Sequence, residues 1–337
     1  MNILWIKDDI TGHLNKVRGV LRALAARSDL VISEHNLAWR WSPVRQVLPW
    51  LGNTAFTLPL NCFLKSLPDP AGIDLVISAG GATQWPNAAL ARAMGRPNIF
   101  LGSLRRMDTE HFTLVASHDA PLDQPGFHRF DLIPSMITPD GARNAAEAAG
   151  ITAGQDWGLL VGGNGEGLCW ETGDYHSLVD RFIGQAGAAG RMIRIATSRR
   201  TPIAIERKIK HLAEESGILS GASWFHEPDA HTLPLIATMG ACSRLCVTAD
   251  SMSMTHESVS SGRPVIAVQP EQSASPRLTS NLKRLEERGH ITVQTPAGLA
   301  VGDGRPDCGW NLISGDPSAP VADAVLTALA RQSSNHP

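Results

Sequence analysis

Lysine is nearly missing from this chain, and so is tyrosine: six lysines stand against 24 arginines, and a single tyrosine occurs among 337 residues. With no basic run and a formal net charge of -2, the chain lacks the positive, aromatic-interleaved surface by which proteins hold nucleic acid, and no such partner is expected. Charged residues are also scarce, at 18% against about 25% in an average globular chain. With 43% hydrophobic residues the composition is that of a folded protein, which excludes a disordered one. The five cysteines, Cys62, Cys169, Cys242, Cys246 and Cys308, are odd in number and show no CxxC spacing, which argues against a zinc knuckle and for a reducing compartment. No DxD pair occurs, so the sequence calls for no metal ion, and no repeat or low-complexity tract is visible. The first residues, Met1 to Ile6, run directly into Lys7, Asp8 and Asp9; without a basic start or a long apolar core this reads as a buried first strand, not a secretory leader. A cytoplasmic protein is expected.

At roughly 150 residues per domain the length suggests about two domains. Short apolar runs alternate with helical patterns throughout, the signature of parallel sheets covered by helices on both faces. Strands are predicted over Ile3–Ile6, Leu30–Ser33, Asp74–Ser78, Asn98–Leu101 and Phe112–Ala116, then over Trp157–Val161, Met192–Thr197, Ala222–Phe225, Arg244–Thr248 and Pro264–Val268. Between the two sets, Asp131–Asp140 carries two prolines and precedes an Ala-rich helix, Gly141–Ala149. The boundary is placed there, giving an N-terminal domain of residues 1–140 and a C-terminal domain of residues 141–337, with a last helix, Ala322–Ala330, free to pack on either. The expected fold class is α/β, two doubly wound Rossmann-like domains facing a cleft, with ligands beyond the carboxyl ends of the strands.

One stretch breaks this pattern. Gln46–Leu64 is 19 residues without a charge, close to the length of a membrane-spanning helix, but Pro49, Gly52 and Pro59 interrupt it. It reads either as a buried loop and helix edge or as a shallow membrane contact over residues 39–64, with Trp39, Trp41 and Trp50 at the interface and Arg40 and Arg45 at the headgroups.

The polar motifs fall just after strands. Gly162-Gly163-Asn164-Gly165-Glu166-Gly167 offers bare backbone amides to an anion, although a tight connection explains these glycines equally. Thr197-Ser198-Arg199-Arg200-Thr201-Pro202 gathers hydroxyls, two guanidinium groups and helix-start amides, a set suited to a diphosphate; the alternative is a capping Thr201 beside solvated arginines. In Thr248-Ala249-Asp250-Ser251-Met252-Ser253-Met254 a strand ends at Asp250, and Ser251 and Ser253 lie where a helix begins, offering hydroxyls and amides to phosphate. Glu257 follows Ser253 by about one helical turn, within reach of a ribose beside that phosphate. A capping box is the alternative for Ser253 and Glu257.

These segments, Val247–Val265 above all, together with Phe112–Asp119 and Leu282–Gly289, resemble the mitochondrial fission family named for its elongated-mitochondria phenotype, whose bacterial members are regarded as glycosyltransferases of the GT-B fold. The resemblance spans most of the chain. It implies that the second domain binds a nucleotide sugar as co-substrate, with no further cofactor: Gly162, Gly163, Asn164, Thr197, Ser198, Asp250 and Met254 shape the pocket, Ser251 and Ser253 hold the diphosphate, Arg199 neutralises the leaving group, Glu257 binds the ribose, and Phe225 and His226 flank the base. Core packing is the competing reading of Phe225. The first domain would hold the acceptor, a glycolipid or polysaccharide of the cell envelope at the cytoplasmic membrane face. His13 is the candidate general base, its unperturbed pKa lying near working pH, unless it merely sits in a capping turn; Asp119, beside His118 after another strand, is the second catalytic candidate. The chain departs from the family's usual Gly- and Pro-containing turn at Lys7-Asp8-Asp9-Ile10-Thr11-Gly12-His13. Two other functions share these features: a non-hydrolysing nucleotide-sugar epimerase, and a non-catalytic adaptor, since eukaryotic relatives are linked to recruiting a dynamin-related protein.

Overall fold

Runs such as Leu75–Ala79 and Asp156–Val161 bury every residue, which only a strand covered on both faces can do. The computed structural model places them at the centres of two parallel sheets. It describes residues 1–40, 60–104, 107–122, 124–228, 232–271, 274–302 and 309–335, and the chain divides into two units.

The first unit comprises Met1–Met136 and Pro317–Pro337. Its strands β1 (Asn2–Lys7), β2 (Val31–Asn36), β3 (Leu75–Ala79), β4 (Asn98–Leu101), β5 (Leu114–Ser117) and β6 (Phe127–Arg129) lie in the order β2-β1-β3-β4-β5-β6, every pair parallel. Parallel neighbours need crossovers, and the helices supply them. Thr11–Ala25 turns Val17, Val20, Leu21 and Leu24 to one face, at the spacing of an amphipathic helix. These side chains pack with Ile3, Trp5, Leu75, Ile77 and Ile99, and the last helix, Ala319–Asn335, adds Val321, Ala322 and Val325. Trp85, Ala88 and Ala89 of the helix Gln84–Met94 form a second cluster with Phe100, Phe112 and Val115. Each large apolar side chain so buried contributes about 1.5–3 kcal/mol. That helix is also fixed by a buried polar chain: the Asn87 amide donates to Ser78 Oγ at 2.9 Å and to the Ile99 carbonyl at 3.0 Å, and Asn98 donates to Asn87 at 2.8 Å.

The second unit is Ile137–Asp316. Its strands β7 (Asp156–Val161), β8 (Ile193–Thr197), β9 (Leu219–Ser223), β10 (Cys242–Thr248), β11 (Val265–Val268) and β12 (Ile291–Gln294) follow the order β12-β11-β10-β7-β8-β9, again all parallel. The order reverses between β7 and β10 in this sheet and between β1 and β3 in the first; beyond the carboxyl ends at such a reversal, doubly wound sheets bind ligands.

Two strands, β6 and β12, are additional to those expected, being short and polar. The expected strand Ala222–Phe225 lies instead at Leu219–Ser223, because the Phe225 amide leaves the ladder to donate to Glu206 and to Thr197 Oγ1. At the start of the apolar segment, Trp39 bridges to Leu64, and Arg40 Nε donates to the carbonyls of Asn61 and Leu64 at 2.7 and 3.0 Å. Residues 41–59, with Trp41, Arg45 and Trp50, lie outside the described residues. No described helix is long and apolar enough to cross a membrane.

Candidate functional site

In the second unit the strand reversal joins three loops. After β7 the chain turns through Gly162 and Gly163, and the Gly162 amide donates to Thr248 Oγ1 at 2.6 Å, tying this turn to the end of β10. After β8 the turn is closed by Ser198 N donating to Thr201 Oγ1 at 3.0 Å, while the buried Thr201 hydroxyl reaches the Val161 and Gly162 carbonyls at 2.8 and 2.9 Å. The backbones come so close that a Cβ on Gly163 would lie 2.0 Å from the Arg200 carbonyl oxygen, and one on Gly162 2.3 Å from an Asp250 carboxylate oxygen. Glycine is required at both positions for this close approach, whatever binds beyond it.

Asp250 occupies the centre. Its side chain is fully buried and pairs with Arg200, Nη2 to Oδ2 at 3.0 Å, and Arg200 Nη1 also donates to the Asp250 carbonyl at 3.2 Å. Burial pushes the Asp250 carboxyl above the usual carboxylate range, opposed by the Thr248 hydroxyl, the Arg200 charge and the Gly163 amide. Tyr175 stands behind, 2% exposed, its hydroxyl without a hydrogen-bond partner among the described residues. Burial first, then the charges of Asp250 and Asp174, push that phenol far above its ordinary value.

From Asp250 the chain enters the helix Met252–Ser260. Ser251 is its N-cap, accepting from Met254 N at 3.4 Å and lying 3.3 Å from Ser253 Oγ. The amides of Met252 and Ser253 belong to the first turn, where helix geometry provides no intrahelical acceptor. Ser251, Ser253, Met254 and Glu257 are all half-buried. Glu257 lies four residues beyond Ser253, on the same face of the helix.

Of the two adjacent arginines, Arg200 turns inward to Asp250, whereas Arg199 is exposed at the same strand end. The Thr197 side chain donates to Glu206, a residue only 1% exposed on the helix Ile203–Glu215. Glu206 also accepts from the amides of Phe225, His226 and Glu227 at 3.0, 2.9 and 3.2 Å. His226 Nε2 lies 2.8 Å from the Thr201 carbonyl. This scaffold holds Phe225 out of the core, 52% exposed, with its ring edge-on to His226 at 5.1 Å. It is not a core residue. Asn164 has a local use, its Oδ1 accepting from Trp170 N at 2.8 Å. Phe225 follows β9, three strands from β10 and so about 14 Å along the sheet edge, a separation that an extended nucleoside diphosphate can bridge.

The first unit carries a second polar site at its own reversal. After β1, Asp8 accepts from the Ile10 amide at 3.2 Å through Oδ1 and meets His13 Nδ1 at 2.7 Å through Oδ2. A neutral imidazole that donates its Nδ1–H to a carboxylate carries its lone pair on Nε2. Gly80, after β3, closes the third side: its φ is +93°, and a Cβ there would lie 2.1 Å from His13 Nδ1. His13 is therefore held by a specific partner and not merely by a capping turn.

Asp119 belongs elsewhere. It follows β5, three strands from β1, about 14 Å away along the edge. Its carboxylate accepts from Ser103 Oγ at 2.6 and 2.7 Å and from Ser117 Oγ. Burial pushes its pKa up, but the Ser103 and Ser117 hydroxyls and the His118 charge outweigh that, and the net direction is down. A carboxylate so saturated is a weak proton acceptor, and the partner that orients His13 is Asp8. Arg200 was one of the two guanidinium groups expected in the turn Thr197–Pro202, and Asp8 stood only within the turn Lys7–His13, without a role. Glu206, inside the helix Ile203–Glu215, was marked by no sequence pattern.

A sequence profile of the family described as mitochondrial fission ELM1 matches residues 11–329. No curated protein sequence matches the chain. Among solved structures, a UDP-GlcNAc 2-epimerase from Methanocaldococcus jannaschii is similar over 97% of this chain and 99% of its own, at 10% identity and a TM-score of 0.54. A UDP-glucosyltransferase from Polygonum tinctorium capable of glucosylating indoxyl is similar over 99% of this chain and 94% of its own, at 10% identity and a TM-score of 0.51. Such likeness establishes the fold alone, the GT-B arrangement of two Rossmann-like sheets that glycosyltransferases and epimerases share. With the profile spanning almost its whole length, the chain belongs to the mitochondrial fission ELM1 family.

Proposed function

We propose that this protein is a GT-B glycosyltransferase that moves a sugar from a nucleoside diphosphate to a hydroxyl of a cell-envelope glycolipid or polysaccharide, at the cytoplasmic face of the membrane and without a metal ion. The observation that carries this reading is the convergence at the β7/β10 reversal: a glycine turn, the Arg200 guanidinium, the Ser251 and Ser253 hydroxyls and the first-turn amides of Met252–Ser260 share one strand junction. Such a set stabilises a departing diphosphate by preorganised donors and positive charge, with no cation needed. Arg199 adds exposed positive charge, Glu257 binds the ribose, and Phe225 with His226 receives the base. In the first unit His13 Nε2 removes the proton from the acceptor hydroxyl as its oxygen attacks the anomeric carbon, and Asp8 steadies the imidazolium that forms.

The test is a thermal-shift screen against nucleoside diphosphates and their sugars, since a ligand of the native state raises the melting temperature by mass action. One nucleotide is expected to stabilise the protein selectively. Glu257→Ala is expected to weaken that nucleotide by about 1–3 kcal/mol, the cost of leaving polar groups unpaired. Unchanged affinity in a folded variant removes Glu257 from the site. Absence of any shift defeats the donor assignment and favours the adaptor reading, while binding without transfer to any acceptor favours the epimerase.

A further inference from the structure

Beside the His13–Asp8 pair lies a cavity of about 140 Å³ lined by Asp8, Asp9, Ile10, Leu37, Trp39 and Ala82. The lining has two chemistries. Ile10, Leu37 and the half-buried Trp39 ring make an apolar wall, and Asp8 and Asp9 are both carboxylates. No cation is among the described lining residues. Of the two cations that flank lining residues in sequence, Lys7 is engaged with Glu34, Nζ to Oε2 at 2.5 Å, and Arg40 donates from Nε to the carbonyls of Asn61 and Leu64. An aromatic face is suited to the C–H face of a sugar ring, while carboxylates accept from hydroxyls or, more strongly, from an ammonium. The same carboxylates repel phosphate or a second carboxylate, so the cavity selects by rejection as much as by attraction. Asp8 is common to the cavity and the His13 pair, so one carboxylate links the cavity to the imidazole.

We propose that this cavity is the acceptor subsite and that it takes a non-anionic saccharide, a neutral or amine-bearing sugar ring, and rejects sugars carrying phosphate or carboxylate next to the accepting hydroxyl. The proposal rests on the reading of the first unit as the acceptor side, and it names the class of acceptor that reading leaves open.

Saturation-transfer NMR on the full chain tests it, with methyl glucoside, methyl glucosaminide and methyl glucuronide as probes. The first two are expected to receive saturation and the glucuronide none. Asp9 is exposed, so Asp9→Lys keeps the fold, which an unchanged melting temperature verifies. That variant is expected to admit the glucuronide and to weaken the glucosaminide by roughly tenfold, as reversal of one close charge requires. Trp39→Leu, which keeps an apolar side chain in the wall, is expected to weaken all sugars. Equal binding of the glucuronide by the unaltered protein, the same order of preference in Asp9→Lys, or no binding of any sugar overturns the proposal. Because the probes carry no nucleotide, sugars that bind a protein deaf to every nucleotide would sink the donor reading alone, and nucleotides that bind a protein deaf to every sugar would sink this one alone.

Discussion

Replacing Arg200 by methionine isolates the electrostatics of the candidate donor site. The substitution keeps most of the side-chain volume and removes the guanidinium paired with Asp250, whose carboxylate has no exposed surface. Breaking a buried pair in this way costs about 3–5 kcal/mol, because the remaining charge is left in a medium that cannot solvate it. Arg200 keeps 33% of its side chain in contact with solvent, which screens the pair, so the expected loss is near the lower end, about 3 kcal/mol. For a unit of this size that lowers the melting temperature by about 6–12 °C. The loss depends on pH with a definite sign. Burial raises the Asp250 pKa above its ordinary value of 3.8, and without Arg200 it rises further. The folded state of the variant then holds a proton that the unfolded state has released, so its stability falls as pH rises above 3.8 and levels off once Asp250 has ionised in the fold. The gap between the native protein and Arg200→Met is thus small in acid and full at neutral pH. Asp250→Asn in the same background removes the uncompensated charge and recovers most of the loss. Urea unfolding of the two single variants and the double across this pH range measures the coupling. A loss under about 1 kcal/mol at neutral pH, or a double variant less stable than Arg200→Met, would refute the assignment of Asp250 as a charge that depends on Arg200.

Two further substitutions address the first unit. In Gly80→Ala the new Cβ is placed 2.1 Å from His13 Nδ1 and 2.8 Å from Asp8 Oδ2 at a φ of +93°, so the loop or the imidazole must move. A stability loss of about 1–3 kcal/mol is expected, with loss of the downfield Nδ1 proton signal of His13; a variant that keeps both stability and signal shows that the pair is not held by this contact. Asp119 has its pKa lowered in the fold, so its contribution to stability is fully present above its unfolded value of 3.8 and disappears as pH falls through the lower folded value. Asp119→Asn is accordingly expected to be less stable than the native protein at neutral pH and to converge with it in strong acid; parallel stability curves down to acid pH would contradict the hydroxyl contacts.

The central strands were legible because burial on both faces demands unbroken apolar runs, and Leu75–Ala79 and Asp156–Val161 have them. The edge of each sheet imposes no such demand, and β6 and β12 left no signal. Turn chemistry was legible for a similar reason: a backbone that must pass within contact distance of another chain segment requires glycine, and a helix start favours a serine such as Ser251. Which of two neighbouring arginines faces inward was not legible, since the turn closed by Ser198 and Thr201 settles it and nothing in the pair itself does.

The carboxylates show why the sites themselves were harder to read than the strands. Asp8, Glu206 and Asp250 are all largely or wholly buried at carboxyl strand ends, where an unpaired charge is costly. Each is kept by a partner that chain folding supplies: His13 from the helix that follows β1, the Phe225–Glu227 amides from the loop after β9, and Arg200 from the loop after β8. Asp8 and Asp250 orient side chains with their own chemistry, and Glu206 orients a turn that carries an exposed ring. Glu206 and Asp250 thus depend on neighbours in the sheet order β10-β7-β8-β9, which brings together residues that are 20 to 50 positions apart. A motif scan registers adjacency along the chain, whereas the groups that aim this chemistry are adjacent only across the sheet. Departures from local sequence rules therefore gather where the fold keeps a costly buried charge.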